Sequence, residues 1–332
     1  MNTSKLSNLA PLIVALAAAL WGIVGIFTKH LYGLGFSPLQ TSMLRCFVAA
    51  VVIVPVLLFH DRKKMRLHSA KHLLYFVLSG TLGLALCYFA YFTTIQTATL
   101  SVAVVMLYSA PIMVTLMAAV LFKEKITPIK MVSLIFAFAG CVLMSGILGG
   151  SDVALSWTGL FIGFLSGLGY ALYSIGSRMA LLHYDTTTVT AYTFIFAVLG
   201  LLPLTPIRAT VDLFVANPIA IASALGLGLL STLIPYTIYV LALNYIEVGK
   251  AAVLSFIEPV TATVLSVTLF HEALGLNGVI AIILILVSVI LMNLKVKQVR
   301  DEIIVEEEDF TWRAEDRASE RLADAMQKED NQ

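Results

Sequence analysis

The chain has 332 residues, 59% of them hydrophobic and only 12% charged, with a mean hydropathy of +0.94. A soluble domain carries about twice that charged fraction, so the composition excludes a soluble globular protein. The formal net charge of +1 hides a segregation, because residues 301–332 hold 12 acidic and 4 basic side chains and residues 1–300 hold 8 and 17; this follows membrane sidedness, and nucleic acid is not expected as a partner.

Ten apolar stretches follow in chain order, at about 9–31, 40–59, 72–94, 99–122, 130–148, 157–180, 189–207, 218–243, 251–270 and 276–296. Each is close to the ~20 residues a helix needs to cross a bilayer. The alternating polarity of a membrane β-barrel is absent, which leaves helices as the spanning element. The expectation is an all-α integral membrane protein with ten transmembrane helices and membrane lipid as its surroundings. The first stretch is too long for a signal-peptide core and lacks a small-residue cleavage site, so it counts as a span.

Along these spans the polar and aromatic positions are few. Trp21 lies deep in the first, and Arg45 lies a turn inside the second, where snorkelling to the outer headgroups is the expected role. Tyr88–Tyr91, Tyr170–Tyr173 and Tyr236–Tyr239 are each spaced i, i+3 and so share a helix face. Tyr91 and Tyr239 are near span ends, at the depth of an interfacial belt. Trp21, Tyr88, Tyr170, Tyr173 and Tyr236 are deeper and are candidates for lining a cavity, with Tyr108 and Ser255 added from the proline-bearing spans. Gly159, Gly163 and Gly167 form a small-residue stripe suited to close helix packing. Pro111 and Pro259 stand near the middle of spans four and nine, where each removes a hydrogen bond to the carbonyl four residues back, at Leu107 and Ser255. They are the candidate helix hinges.

Glu258 is the most informative side chain. It sits two or three residues from the middle of its span, where an acid costs about 2.5–3.5 kcal/mol to insert. Three roles compete for it: a counter-charge for a substrate amine, a proton-coupling site, or a hydrogen bond that orders the kink at Pro259. The cysteines, Cys46, Cys87 and Cys141, fall inside apolar runs with neither disulfide nor metal spacing. No metal and no cofactor are expected.

A shift of 148 residues lays the second half on the first. Tyr88 then meets Tyr236, Tyr91 meets Tyr239, Pro111 meets Pro259, Thr115 meets Thr263 and Glu124 meets Glu272. Duplicated membrane units mark transporters, with the substrate site where the copies meet. Five spans per copy is an odd number, so the two repeats, 1–148 and 149–296, must be inverted relative to one another. With the N-terminus inside, 14 of the 17 lysines and arginines before residue 301 fall on the inner side, leaving only Lys29, Arg45 and Arg208 outside. That bias places both termini in the cytoplasm. Residues 297–332 form an acidic cytoplasmic tail in which 310–327 has helical charge pairing.

Phe256-Ile257-Glu258-Pro259-Val260, followed by Leu269-Phe270-His271-Glu272-Ala273-Leu274, resembles the hallmark of the second repeat in the EamA-like family of the drug/metabolite transporter superfamily. Tyr108-Ser109-Ala110-Pro111-Ile112 and Leu121-Phe122-Lys123-Glu124-Lys125 resemble its first-repeat version, and Trp21-Gly22 its opening segment. The resemblance covers about 9–296. It implies a ten-helix carrier with a central cavity, working by alternating access, and says little about the substrate.

The expected function is secondary transport of a small organic metabolite across a bacterial inner membrane. Export of amino acids or related amphiphilic compounds leads, because an aromatic cavity with one acid suits an apolar body bearing an amine. Import of a metabolite is the alternative. A membrane enzyme or a channel is disfavoured: the sequence has no zincin helix, no Gly-x-Ser-x-Gly elbow and no phosphate-binding loop. Oligomeric state is not legible.

Overall fold

In a computed structural model of the protein, the described residues are 3–60, 62–145, 147, 157–271 and 275–294, and every regular element among them is helical. Met1–Val289 group as one compact unit and Ile290–Gln332 as another, whose described part is the end of the final helix. The acidic tail lies outside the described residues, as do Glu272, Ala273 and Leu274 of the second-repeat motif.

The first span is α1 (Thr3–Gly22) and α2 (Val24–Gly33), broken at Ile23, and the second is α3 (Pro38–His60). The third runs through α4 (Leu73–Phe76), a π-helical stretch (Val77–Ala85) and α5 (Leu86–Thr97). The fourth is split into α6 (Leu100–Leu107) and α7 (Ala110–Leu121), the fifth is α8 (Pro128–Met144) and the sixth is α9 (Trp157–Leu181). After α10 (Thr186–Leu201) comes α11 (Ile207–Ala216), a short helix that falls between the seventh and eighth apolar stretches. The eighth is α12 (Ala220–Gly228), a second π-helical stretch (Leu229–Leu233) and α13 (Ile234–Ala242). The ninth is split into α14 (Val248–Leu254) and α15 (Ile257–Phe270), and α16 (Leu276–Leu294) is the tenth.

Among the described residues, nine of these stretches are long and apolar enough to cross a membrane, where the sequence suggested ten. The shortfall is α8, whose 17 residues extend only ~26 Å. The chain is a multi-pass integral membrane protein.

Local chemistry fixes several boundaries. Thr99, Thr127 and Asp185 start α6, α8 and α10 by accepting bonds from Val102 N, Lys130 N and Thr188 N at 3.2, 3.2 and 3.0 Å. Small residues set how closely the spans cross. A Cβ at Gly169 in α9 would lie 2.7 Å from the backbone nitrogen of Cys87, so spans three and six meet nearly backbone to backbone. The stripe at Gly163 and Gly167 accepts Met106 of α6, whose Cγ and carbonyl oxygen would each lie 2.7 Å from the added carbon. These contacts hold span four, with its break, against span six.

Candidate functional site

The two split spans define the site. The first break falls at Tyr108–Ser109 and the second at Ser255–Phe256. The prolines are not mid-helix, as the sequence suggested. Pro111 and Pro259 occupy the first turn of α7 and α15, where a missing N–H removes no intrahelical bond. A proline there forbids the preceding turn from continuing as helix, and a serine hydroxyl at each break bonds back to a carbonyl of the helix before it. Ser109 Oγ donates to Met106 O at 2.6 Å, and Ser255 Oγ donates to Ala251 O at 3.0 Å.

The second break puts Glu258 in the first turn of α15, so a helix N-terminus begins deep within a span beside an acid. The helix dipole favours negative charge at that end, and this offsets part of the cost of burying the carboxylate. Among the described residues none donates a hydrogen bond to it or pairs with it. Arg45 acts on it through space but forms no ion pair with it. A half-buried acid with free oxygens needs a ligand, a proton or water.

Glu258 lines a small cavity with Leu107, Tyr108, Pro111, Tyr170, Ser255 and Phe256, of about 20 Å³, roughly the room for one water. A second cavity of about 190 Å³ lies among Ser101, Val104, Tyr108, Cys141, Met144, Ser145 and Pro259. Tyr108 borders both. Drug-sized ligands occupy about 300–1,000 Å³, so the site is nearly closed in this conformation.

An aromatic wall stands beside these cavities. Trp21, 3% exposed, meets Tyr170, Tyr236 and Tyr239 at ring distances of 6.4, 5.0 and 5.2 Å. Its Nε1 has no hydrogen-bond partner among the described residues. The hydroxyls of Tyr88 and Tyr236, residues related by the 148-residue shift, share a hydrogen bond of 2.7 Å. Of the sequence candidates, Tyr108, Tyr170, Ser255, Glu258, Pro111 and Pro259 border the cavities. Trp21, Tyr173 and Tyr236 stand in the wall, linked to Tyr170 through ring contacts, and Tyr88 joins it through its hydroxyl bond to Tyr236.

Two expectations change. Tyr239 is fully enclosed, with its hydroxyl 3.2 Å from Ser174 Oγ, and is not a belt residue. Arg45 does not snorkel. Its Nε donates to Thr232 Oγ1 at 2.9 Å and its Nη2 to Ser231 O at 3.1 Å, with the guanidinium 5.0 Å from the Tyr88 ring centre. Ser231 and Thr232 lie in the π-helical stretch of span eight, where the irregular backbone leaves a carbonyl for a donor from outside.

A further cluster went unread. Lys130 Nζ lies 3.1 Å from Glu124 Oε2 and 3.0 Å from Glu247 Oε2, with the lysine side chain only 3% exposed. The sequence signals were the repeat-matched Glu124 and a lysine counted as loop charge; their meeting with Glu247, more than a hundred residues away, is not written in local pattern.

The model of the EamA-like transporter family matches residues 8–146 and again 157–294. An uncharacterized transporter of Archaeoglobus fulgidus is 26% identical over 282 residues, covering 84% of this chain and 94% of its own. The uncharacterized inner membrane transporter YicL of Salmonella typhimurium is 24% identical over 283 residues, covering 85% and 94%. A solved crystal structure, 20% identical, has the same fold with a TM-score of 0.71, covering 87% of this chain and 98% of the other.

Proposed function

Since the chain belongs to the EamA-like transporter family and is a membrane transporter, we propose that it is a secondary carrier of small organic amines, amino acids and related amphiphilic compounds among them, working by alternating access. The observation that carries this reading is Glu258: a carboxylate with no hydrogen-bond or ion-pair partner among the described residues, at a helix start deep within a span, lining a cavity with Tyr108 and Tyr170. A cationic amine would take the carboxylate, and an apolar or aromatic body would stack on the tyrosines. Proton binding at the same oxygens is the coupling route this site offers.

The inverted halves, 1–148 and 149–296, and the cytoplasmic placement of both ends belong to the same reading. Support comes from irregularities that recur at the repeat shift. The break after Leu107 answers the break after Leu254 to within one residue. The π-helical stretch at 77–85 corresponds to 225–233, and the second one fills 229–233. Lys123 and His271, also 148 apart, share left-handed φ values of 57° and 54°. In a bacterial inner membrane, uncoupled carriage runs down the gradient of the substrate, which would move a metabolite made inside outward.

The test is substrate counterflow in liposomes with wild type and Glu258→Gln. Glutamine keeps the shape but cannot ionise. Losing a charged hydrogen bond weakens half-saturation for amine-bearing substrates about tenfold or more. If proton coupling is the role, the variant loses uptake driven by a pH gradient but keeps counterflow. Wild-type behaviour in both modes would remove Glu258 from the site.

A further inference from the structure

The loop between α7 and α8 is bound to the head of α14 by a buried ionic cluster. Lys130 bridges Glu124 and Glu247 at 3.1 and 3.0 Å. Glu124 also accepts two backbone bonds, from Val248 N at 2.7 Å and from Gly249 N at 3.1 Å. Gly249 lets the lysine lie close, since a Cβ there would be 2.7 Å from Lys130 Cε and 2.8 Å from Nζ and would push the lysine end aside. The cluster sits at the end of the spans that carries most of the basic residues, whereas Ser101 and Ser145 of the larger cavity sit toward the opposite end.

We propose that Lys130 is the latch that holds the passage shut at the basic end, and that it must release Glu247 for the site to open there. The inference rests on the alternating-access reading above. A lysine this buried is stable only while paired, and its second partner, Glu247, is on the other loop, so the cluster favours the conformation in which the two loops touch. Neither the lysine nor this second glutamate is repeated at the other end: under the repeat shift Lys130 corresponds to Gly278, and Glu247 corresponds to Thr99. Removing the latch therefore shifts the equilibrium in one direction only, toward opening at the basic end.

The experiment uses the full chain with Cys46, Cys87 and Cys141 replaced by serine, in oriented membrane vesicles, with an impermeant maleimide as probe. One reporter is Ser177→Cys, fully buried and one turn from the basic end of α9; the other is Ser101→Cys, on the larger cavity. Lys130→Gln should raise labelling at 177 from the basic side by roughly fivefold or more, a modest conformational coupling, and lower labelling at 101 from the other side. Glu247→Gln, which leaves Lys130 paired with Glu124, should give the same opposed shifts and guards against a Lys130 variant that does not fold. Unchanged labelling at 177, or a rise at both positions, overturns the latch, the second result meaning general loosening. Counterflow in the same vesicles separates the two readings. Opposed shifts without saturable exchange in wild type would sink the carrier and leave the gate; saturable exchange without the shifts would sink the gate alone.

Discussion

At Arg45 the guanidinium is anchored rather than free, with two hydrogen bonds into span eight and the Tyr88 ring beneath it. Hydrogen bonds to a charged group are worth about 1.5–3 kcal/mol, so Arg45→Met should destabilise the protein by a few kcal/mol, seen as earlier thermal unfolding in detergent. A wild-type melting curve would show that these contacts carry no stability. The depth of Glu258 was legible because insertion cost depends on position along a span, which the sequence displays. The role of Arg45 was not, because its carbonyl partner is freed by a π-helical stretch at Leu229–Leu233 that hydrophobic periodicity does not register. Tyr239 was misplaced for a related reason: distance from a span end says nothing about which neighbours cover the ring.

Among the elements, the split spans frame the proposed site. Pro259 sits in the first turn of α15, so Pro259→Ala should alter stability by only about 1 kcal/mol. It lifts the bar to a continuous helix through Ser255–Phe256, however, and so takes Glu258 away from a helix start. The expected result is an unchanged or slightly higher melting temperature with slower counterflow; unaltered counterflow would mean the break has no part in transport. Nine of the ten spans and the Gly163–Gly167 stripe were readable from composition, and so was the presence of a proline at each break, but not that each proline opens a new helix instead of interrupting a continuous one. Helix α11 was not. It shows apolar Ile207, Val211 and Val215 on its exposed side and buries Thr210 against Gln40, and so short an amphipathic segment reads as loop beside 20-residue spans.

For the whole molecule, the repeat was visible as a register of identities, and the structure adds matching irregularities that no identity encodes. Lys123 and His271 are different residues in the same left-handed conformation. The topology proposed from this register has its own check. A cysteine at Arg66, exposed just after a short 3-10 turn at Arg62–Met65, should react with an impermeant reagent only from the cytoplasm, and one at Arg208 only from outside. Reaction of position 66 from outside would invert the assignment. The Lys130 cluster escaped the sequence because both of its halves look ordinary alone: a glutamate and a lysine near one loop, a glutamate at another.

A latch whose lysine is not repeated at the other end also constrains kinetics. For uncoupled carriage, detailed balance fixes Vmax/KM to be equal in both directions, whatever the gates do. An empty carrier that rests latched must break the cluster before it can load from the basic side, so flux from that side has the lower Vmax and, in the same proportion, the lower KM. Substrate on the far side speeds exit from the basic side, because a loaded carrier replaces the slow empty return. The Lys130 ammonium thus makes one permeation pathway behave as a high-affinity, low-capacity carrier from one compartment and the reverse from the other, without favouring either at equilibrium.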